Sequence, residues 1–215
     1  MPATPTPIAI LALLALGLLI PAVTVAEETC TCTQAREAHG WCEACGVGYI
    51  ADVPLDSRYL WETLDAHGHQ LNIDNLGCSE CKTAAATDGF CEQSRMGFLA
   101  GEAYFSRLTW LLAKAERDEP ETLDCPTCRK HAAGSGWCER HSVGRVGRWT
   151  LHDRSEFEAL AHEMRILATA NDSALRCEHC AAAIVTNTEC PFCRIRYRDG
   201  EPTPIDQAKP QQRRK

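Results

Sequence analysis

The stretch that decides the fold runs from Cys125 to His141 and reads CPTCRKHAAGSGWCERH. It contains a Cys-x-x-Cys pair and, after nine intervening residues, a Cys-x-x-His pair. Three further segments follow the same pattern. Counted from Cys30, the first cysteines of the four units follow one another at intervals of 48, 47 and 52 residues. A period near 50 residues is typical of duplicated supersecondary units.

Each unit offers up to four side chains at equivalent positions. The sets are Cys30, Cys32, Cys42 and Cys45; Cys78, Cys81 and Cys91, with Ser94 in the fourth position; Cys125, Cys128, Cys138 and His141; and Cys177, Cys180, Cys190 and Cys193. A disulfide cysteine has no chemical reason to be replaced by histidine, whereas thiolate and imidazole both bind zinc. The third unit therefore favours metal ligation over disulfide bonding.

The disulfide alternative stays open at this point. Fourteen cysteines allow seven bridges, and an exported protein meets an oxidising compartment. The second and third units hold three cysteines each, however, so pairing within them leaves an odd thiol in both. A Cys-x-x-Cys disulfide also closes a very small loop, which removes little chain entropy and strains the backbone. Metal binding is the favoured interpretation, with disulfides and thiol redox chemistry as alternatives.

These segments resemble the zinc-ribbon family, in particular double ribbons with Cys-Pro-x-Cys followed by an aromatic residue and Cys-x-x-Cys-Gly. Segment 125–128 (CPTC) matches the first half of that pattern, and segment 41–46 (WCEACG) matches the second half. Segment 190–193 (CPFC) is also a Cys-Pro-x-Cys turn, or knuckle, but it stands in the second half of its unit. The resemblance implies a structural zinc ion in each complete site, about three to four ions in all, and no enzymatic activity.

Two units depart from that pattern. Cys30-Thr31-Cys32 is one residue short of a normal knuckle, which makes its turn tighter. Ser94 replaces the last ligand of the second unit, so that site is degenerate, is completed by a remote donor such as His67 or His69, or is open. An open three-thiolate site is the one place where catalysis or metal handover is conceivable.

The predicted fold is a tandem of small α+β modules, in which metal-stapled, zinc-ribbon-like knuckle hairpins alternate with short helices. The modules span 27–76, 77–123, 124–175 and 176–200, and the last is a ribbon only. Nine residues between the second and third ligands suit two short strands and a tight turn. Apolar periodicity predicts helices over 57–67, 102–117 and 153–170, the last with a capping box at Asp153 and Glu156.

The modules also share residues at equal spacing outside the ligand positions. Gly48, Gly97 and Gly144 recur three residues after the fourth ligand position and suit turns with positive φ. The aromatic residues that follow in three modules are predicted to cover a small core around the metal; they are Tyr49, Phe98 and Tyr197. Because aromatic residues make up only 7% of the chain, a single large core is not expected.

The N-terminal segment predicts where the protein is located, and the C-terminal segment has a different character. Ile8 to Ile20 is an apolar run that is typical of a signal peptide, residues 1–26, with cleavage near Ala26. An uncleaved membrane anchor is the alternative. Residues 201–215 are predicted to be a disordered tail. The net charge of −7 argues against a nucleic-acid partner.

The favoured function is therefore an exported, non-enzymatic zinc-binding repeat protein. It is expected in the periplasm or outside the cell, where it acts as a scaffold for another exported protein and touches the membrane only through the N-terminal segment if that segment is retained. Buffering or sensing of zinc or copper in the periplasm is the alternative function, and a disulfide-rich or thiol redox protein is a weaker one.

Overall fold

The computed structural model describes residues 32–119 and 122–203. The predicted signal peptide 1–26 and Cys30 lie outside these residues. Within them, no helix is both long enough and apolar enough to cross a membrane.

The first three modules share one order of elements: a short helix, three strands and a second helix. In the first module these are α1 (Cys32–Glu37), β1 (Trp41–Cys42), β2 (Val47–Ile50), β3 (Val53–Leu55) and α2 (Arg58–Leu64). After β4 (His69–Gln70) and a 3-10 turn at Ile73–Asn75, the second module has α3 (Ser79–Ala86), β5 (Phe90–Cys91), β6 (Met96–Leu99), β7 (Glu102–Tyr104) and α4 (Arg107–Lys114). After β8 (Glu116–Arg117), the third has α5 (Pro126–Ala132), β9 (Ser135–Cys138), β10 (Val143–Val146), β11 (Trp149–Leu151) and α6 (Arg154–Ala174). The fourth has α7 (Glu178–Thr186), β12 (Arg196–Arg198) and β13 (Glu201–Thr203).

A helix, and not a strand, follows the first Cys-x-x-Cys pair, which corrects the prediction of two strands between the second and third ligands. Cys78, Cys125 and Cys177 are the N-caps of α3, α5 and α7, and the Cys78 sulfur accepts the backbone N–H of Cys81. The intervening segments contain good helix formers such as alanine. The ligand spacing alone does not distinguish the two local structures.

Each sheet is antiparallel, and the linkers join the sheets of the modules that follow them. The strand orders are β1-β2-β3, β4-β7-β6-β5, β8-β11-β10-β9 and β12-β13. Strand β4, near the end of the predicted module 27–76, thus supplies the fourth strand of the second sheet, and strand β8, in the predicted module 77–123, supplies that of the third sheet. The observed architecture is a mixed α+β fold of small sheets and short helices, in agreement with the predicted class at that level.

Two-residue turns with left-handed backbone connect the last two strands of three modules. The turn residues are Ala51-Asp52, Ala100-Gly101 and Asp199-Gly200, and all six have φ between 49° and 84°. Such turns match the twist of an antiparallel hairpin. The turn at Asp199-Gly200 is followed by β13, which consists of residues 201–203. The first three residues of the predicted disordered tail are therefore in a strand.

The second helices occur where the apolar periodicity predicts them, with one correction. The predicted helix 102–117 is shorter, because Glu102–Tyr104 pairs with β4 and β6, and Glu116–Arg117 pairs with β11. Helix α6 begins after Asp153, whose side chain accepts the N–H of Glu156, so the Asp153 half of the predicted capping box is confirmed. The Glu156 carboxylate pairs with Lys114 instead of the Asp153 N–H. Ser57 and Ser106 cap α2 and α4 in the same way.

One large core runs through all four modules, which corrects the expectation that none would form. It is aliphatic in the main and takes residues from α2, α4, α6 and α7, among them Leu60, Leu111, Leu167 and Ile184, each no more than 1% exposed. Leucine and alanine on the helices supply the buried area that the few aromatic residues do not. Helix α6 packs against both α4 and α7, while α7 also packs against α2.

Candidate metal centres

Four groups of sulfur and imidazole side chains converge in the described part of the chain. Within each group the ligand atoms lie within 4.8 Å of one another. The groups are Cys32, Cys42 and Cys45 (site one); Cys78, Cys81 and Cys91 (site two); Cys125, Cys128, Cys138 and His141 (site three); and Cys177, Cys180, Cys190 and Cys193 (site four). Fourteen of the fifteen predicted ligands are thus brought together as their spacing predicts, and Cys30 lies outside the described residues.

Site four has four sulfurs at separations that suit a tetrahedron. The Sγ atom of Cys177 is 3.9 Å from that of Cys190 and 3.8 Å from that of Cys193. A Zn–S bond of about 2.3 Å separates two sulfurs of a tetrahedral site by about 3.8 Å, whereas a disulfide holds them about 2.05 Å apart. The donor set therefore fits a four-coordinate metal ion.

Site three combines three sulfurs with an imidazole nitrogen. His141 Nδ1 lies 3.2 Å from the sulfur of Cys128 and 3.6 Å from that of Cys138. The buried guanidinium of Arg145 is adjacent to this site and pairs with Asp118 at 2.8 Å. Arg145 therefore links the ligand sulfur of Cys128 to the carboxylate of Asp118.

Site two contains three sulfurs, with Cys78 and Cys91 separated by 3.8 Å. The Ser94 side chain lies beside the sulfurs of Cys78 and Cys81, and its backbone N–H donates to the sulfur of Cys91 at 3.5 Å, so Ser94 occupies the fourth position. The predicted remote donors are elsewhere: His69 hydrogen-bonds to Asp65 at 2.8 Å, and His67 lies 3.4 Å from the same carboxylate. Neither histidine joins the cluster.

Site one is described through Cys32, Cys42 and Cys45. Cys42 is fully buried and packs in a small cluster with Ala35 and Tyr49. The equivalent cluster at site two contains Phe98, and Tyr197 packs with Cys180 and Cys190 of site four. The prediction that these aromatic residues cover the ligands is confirmed.

One position also supplies a polar group to the second ligand of three sites. Four residues after the fourth ligand position stand Tyr49, Arg145 and Tyr197, which hydrogen-bond to the sulfurs of Cys32, Cys128 and Cys180 respectively. Hydrogen bonds to ligand atoms orient them and tune the site. The residue at the same position of site two is Phe98, which has no polar group to donate.

The pKa values of several ligand thiols follow from the position of the cysteine at its helix. The backbone N–H of Cys81 lowers the pKa of Cys78 to about 7, and that of Cys128 does the same for Cys125. Burial raises the pKa of Cys81 to about 11 and that of Cys180 to about 12. A bound dication would drive these coordinating thiols to their deprotonated form.

The three recurrent glycines have a different function from the predicted one. Gly48, Gly97 and Gly144 are in strands without positive φ, and a Cβ atom there would collide with an aromatic ring of the module's second helix. The rings belong to Trp61, Trp110 and Phe157. The glycines allow that helix to approach the knuckle hairpin.

A further repeat around the first three knuckles was not recognised from the sequence. In each, an arginine lies over the aromatic ring that precedes the third ligand and pairs with the glutamate that follows it. The sets are Trp41, Glu43 and Arg58; Phe90, Glu92 and Arg107; and Trp137, Glu139 and Arg154. Alignment of the modules on their third ligands would have revealed the constant interval of 15 residues between glutamate and arginine.

Comparison with known proteins adds no relative. No protein family, no curated protein and no solved structure matches this chain. The clusters of sulfur and imidazole ligands therefore carry the functional argument.

Proposed function

We propose that this chain is an exported zinc-binding repeat protein in which zinc ions fix the knuckle-bearing modules, and that the rigid molecule binds another exported protein. The observation that carries the proposal is the set of four sulfurs at site four. They all lie within 4.8 Å of one another, and the two separations of 3.8 and 3.9 Å from Cys177 match those of a tetrahedral zinc site. A site with four protein ligands leaves no open position for a substrate. The proposal therefore includes no catalytic residue.

A short row of aromatic rings beside site four supports a binding role. The rings of Tyr59 and His179 are 4.9 Å apart, and those of His179 and Phe192 are 4.3 Å apart. Phe192, between Cys190 and Cys193, is 72% exposed, and Tyr59 is 43% exposed. Exposed aromatic residues on a rigid base are enriched at protein interfaces.

The test is elemental analysis and thiol titration of protein isolated from its native compartment without chelator. We expect about three to four zinc equivalents per chain, and an intact mass that corresponds to a chain beginning at Glu27. Less than one metal ion per chain, with no titratable thiols, would contradict the metal proposal. A mass that includes residues 1–26 would contradict cleavage.

A pair of variants in one knuckle assigns the metal to site four. Cys190→Ser should weaken zinc binding at site four and make residues 176–200 sensitive to protease, because the site loses a buried ligand. Pro191→Ala, at an exposed neighbouring position without a ligand atom, should keep the full zinc content. Equal zinc affinity and equal protease resistance in both variants would show that Cys190 is not a ligand.

A second function, metal buffering, is favoured by site two. Among the described residues this cluster offers three sulfurs and a serine hydroxyl, in contrast to the full sets of sites three and four.

A further inference from the structure

The second knuckle retains the backbone geometry of a metal site although its last ligand position is a serine. The N–H of Ser94 donates to the sulfur of Cys91 at 3.5 Å, and the N–H of Cys193 donates to the sulfur of Cys190 at 3.4 Å in site four. The two knuckles thus direct residues 94 and 193 to equivalent positions. At site two, a hydroxyl occupies the position that a sulfur has at site four.

The fourth position of site two is open to solvent. Ser94 is exposed, whereas Cys81 and Cys91 are each only 2% exposed. A neutral serine hydroxyl is a much weaker ligand than a thiolate for a soft or borderline cation. An external ligand can therefore approach the cation from the Ser94 side and displace the hydroxyl without moving the three buried or half-buried sulfurs.

Phe98 is a second and independent difference between site two and the others. In sites one, three and four the equivalent residue hydrogen-bonds to the second ligand sulfur. Phe98 packs against Cys81 and Cys91 through its ring alone. The sulfur of Cys81, the second ligand of site two, therefore receives no hydrogen bond from this position and contacts the Ser94 side chain instead.

We propose that site two is the exchange site of this protein: it holds a zinc ion through Cys78, Cys81 and Cys91, and it accepts an external thiolate as the fourth ligand in place of the Ser94 hydroxyl. Exchange is a ligand substitution at the metal, without oxidation or reduction. The incoming thiolate would bind the ion as the Ser94 hydroxyl leaves. Further thiolates would then replace the three protein sulfurs one after another, and the released cysteines would take up protons from water. This inference rests on the proposed zinc binding and adds that one site releases its ion faster than the others.

The test follows zinc release from the zinc-loaded full chain to a chromophoric chelator in a stopped-flow instrument. We expect about one zinc equivalent in a fast phase and the remainder in a phase at least tenfold slower, because closed sites must break a protein ligand first. Ser94→Cys should remove the fast phase, since it completes the set of four sulfurs. Cys193→Ser should add a second fast equivalent, since it gives site four the ligand set of site two.

Cobalt substitution provides a readout that does not depend on rates. Adding 2-mercaptoethanol to the cobalt-loaded wild-type chain should increase the sulfur-to-cobalt charge-transfer absorption by one thiolate, and Ser94→Cys should show no increase. A single release phase for all ions, or a fast phase that survives in Ser94→Cys, would overturn the exchange proposal. A chain that binds neither zinc nor cobalt would instead overturn the proposed function.

Discussion

His39, Asp88 and Asn187 have the same structural role in three modules. Each lies three residues before the third ligand, has positive φ, and accepts the N–H of the residue twelve positions later, in the turn between the last two strands. The His39 ring also stacks on Trp149 of the third module at 5.2 Å. The His39 side chain thus connects a turn of the first module to the third module.

The role of His39 predicts a pH dependence of stability. Burial lowers the pKa of His39 in the folded protein below 6.5; Asp52 opposes this shift, while Arg117 and His67 add to it. As pH falls through about 6.5, the unfolded chain binds this proton more readily than the folded chain. His39→Asn keeps an acceptor and tolerates positive φ, but it does not titrate.

We expect the free energy of unfolding of the wild-type protein to fall more steeply from pH 8 to pH 5.5 than that of His39→Asn. The two slopes should differ by at most about 1.4 kcal/mol per pH unit. The variant should be less stable at pH 8, because it loses the Trp149 stack. Urea unfolding at saturating zinc measures both slopes. An unchanged slope in His39→Asn would contradict the assignment.

At the scale of the element, each second helix lies close to its knuckle hairpin because a strand glycine leaves room for a ring. A Cβ on Gly48 would lie 2.6 Å from Cδ1 of Trp61 and 2.8 Å from Cε3 of Trp41. The Trp61 indole N–H in turn donates to the carbonyl of His39 at 2.8 Å. Helix α2 is thereby positioned on the strands that carry site one.

Gly48→Ala should therefore lower the free energy of unfolding by about 1–3 kcal/mol, as overpacking does in other cores. Gly77→Ala is the matched control, since no atom lies within 4 Å of a Cβ built there. Thermal unfolding of both variants at saturating zinc measures the difference. Equal melting temperatures would show that α2 can move away from the hairpin at little cost.

At the scale of the molecule, the four modules share one core and are joined by polar links. Arg148 of the third module binds Asp52 of the first at 2.6 and 3.0 Å. Ser57, the cap of α2, donates to Glu178 at the start of α7 at 2.9 Å. The last module thus contacts the first, and the modules do not form separate, independent units.

The shared core predicts cooperative unfolding. Leu111→Ala, at a fully buried position of α4, should lower the free energy of unfolding by about 2–5 kcal/mol. Leu175→Ala, at a position that is 78% exposed, should change it by less than about 0.5 kcal/mol. Hydrogen exchange should show that Leu111→Ala reduces protection around Leu60 and Ile184 together. Loss of protection confined to residues 77–123 would contradict a common core.

The sequence by itself determined the grouping of the ligands, the second helices and the mixed α+β class, because cysteine spacing and apolar periodicity are local features of the chain. Only the tertiary structure decided that Cys78, Cys125 and Cys177 cap helices, that Gly48 and its equivalents accommodate rings, and that one core joins all modules. A Cys-x-x-Cys pair can converge on a point from a turn or from a helix N-terminus, so its spacing leaves the local structure open. Side chains that meet across modules are far apart in sequence, and no local pattern records which of them share buried space.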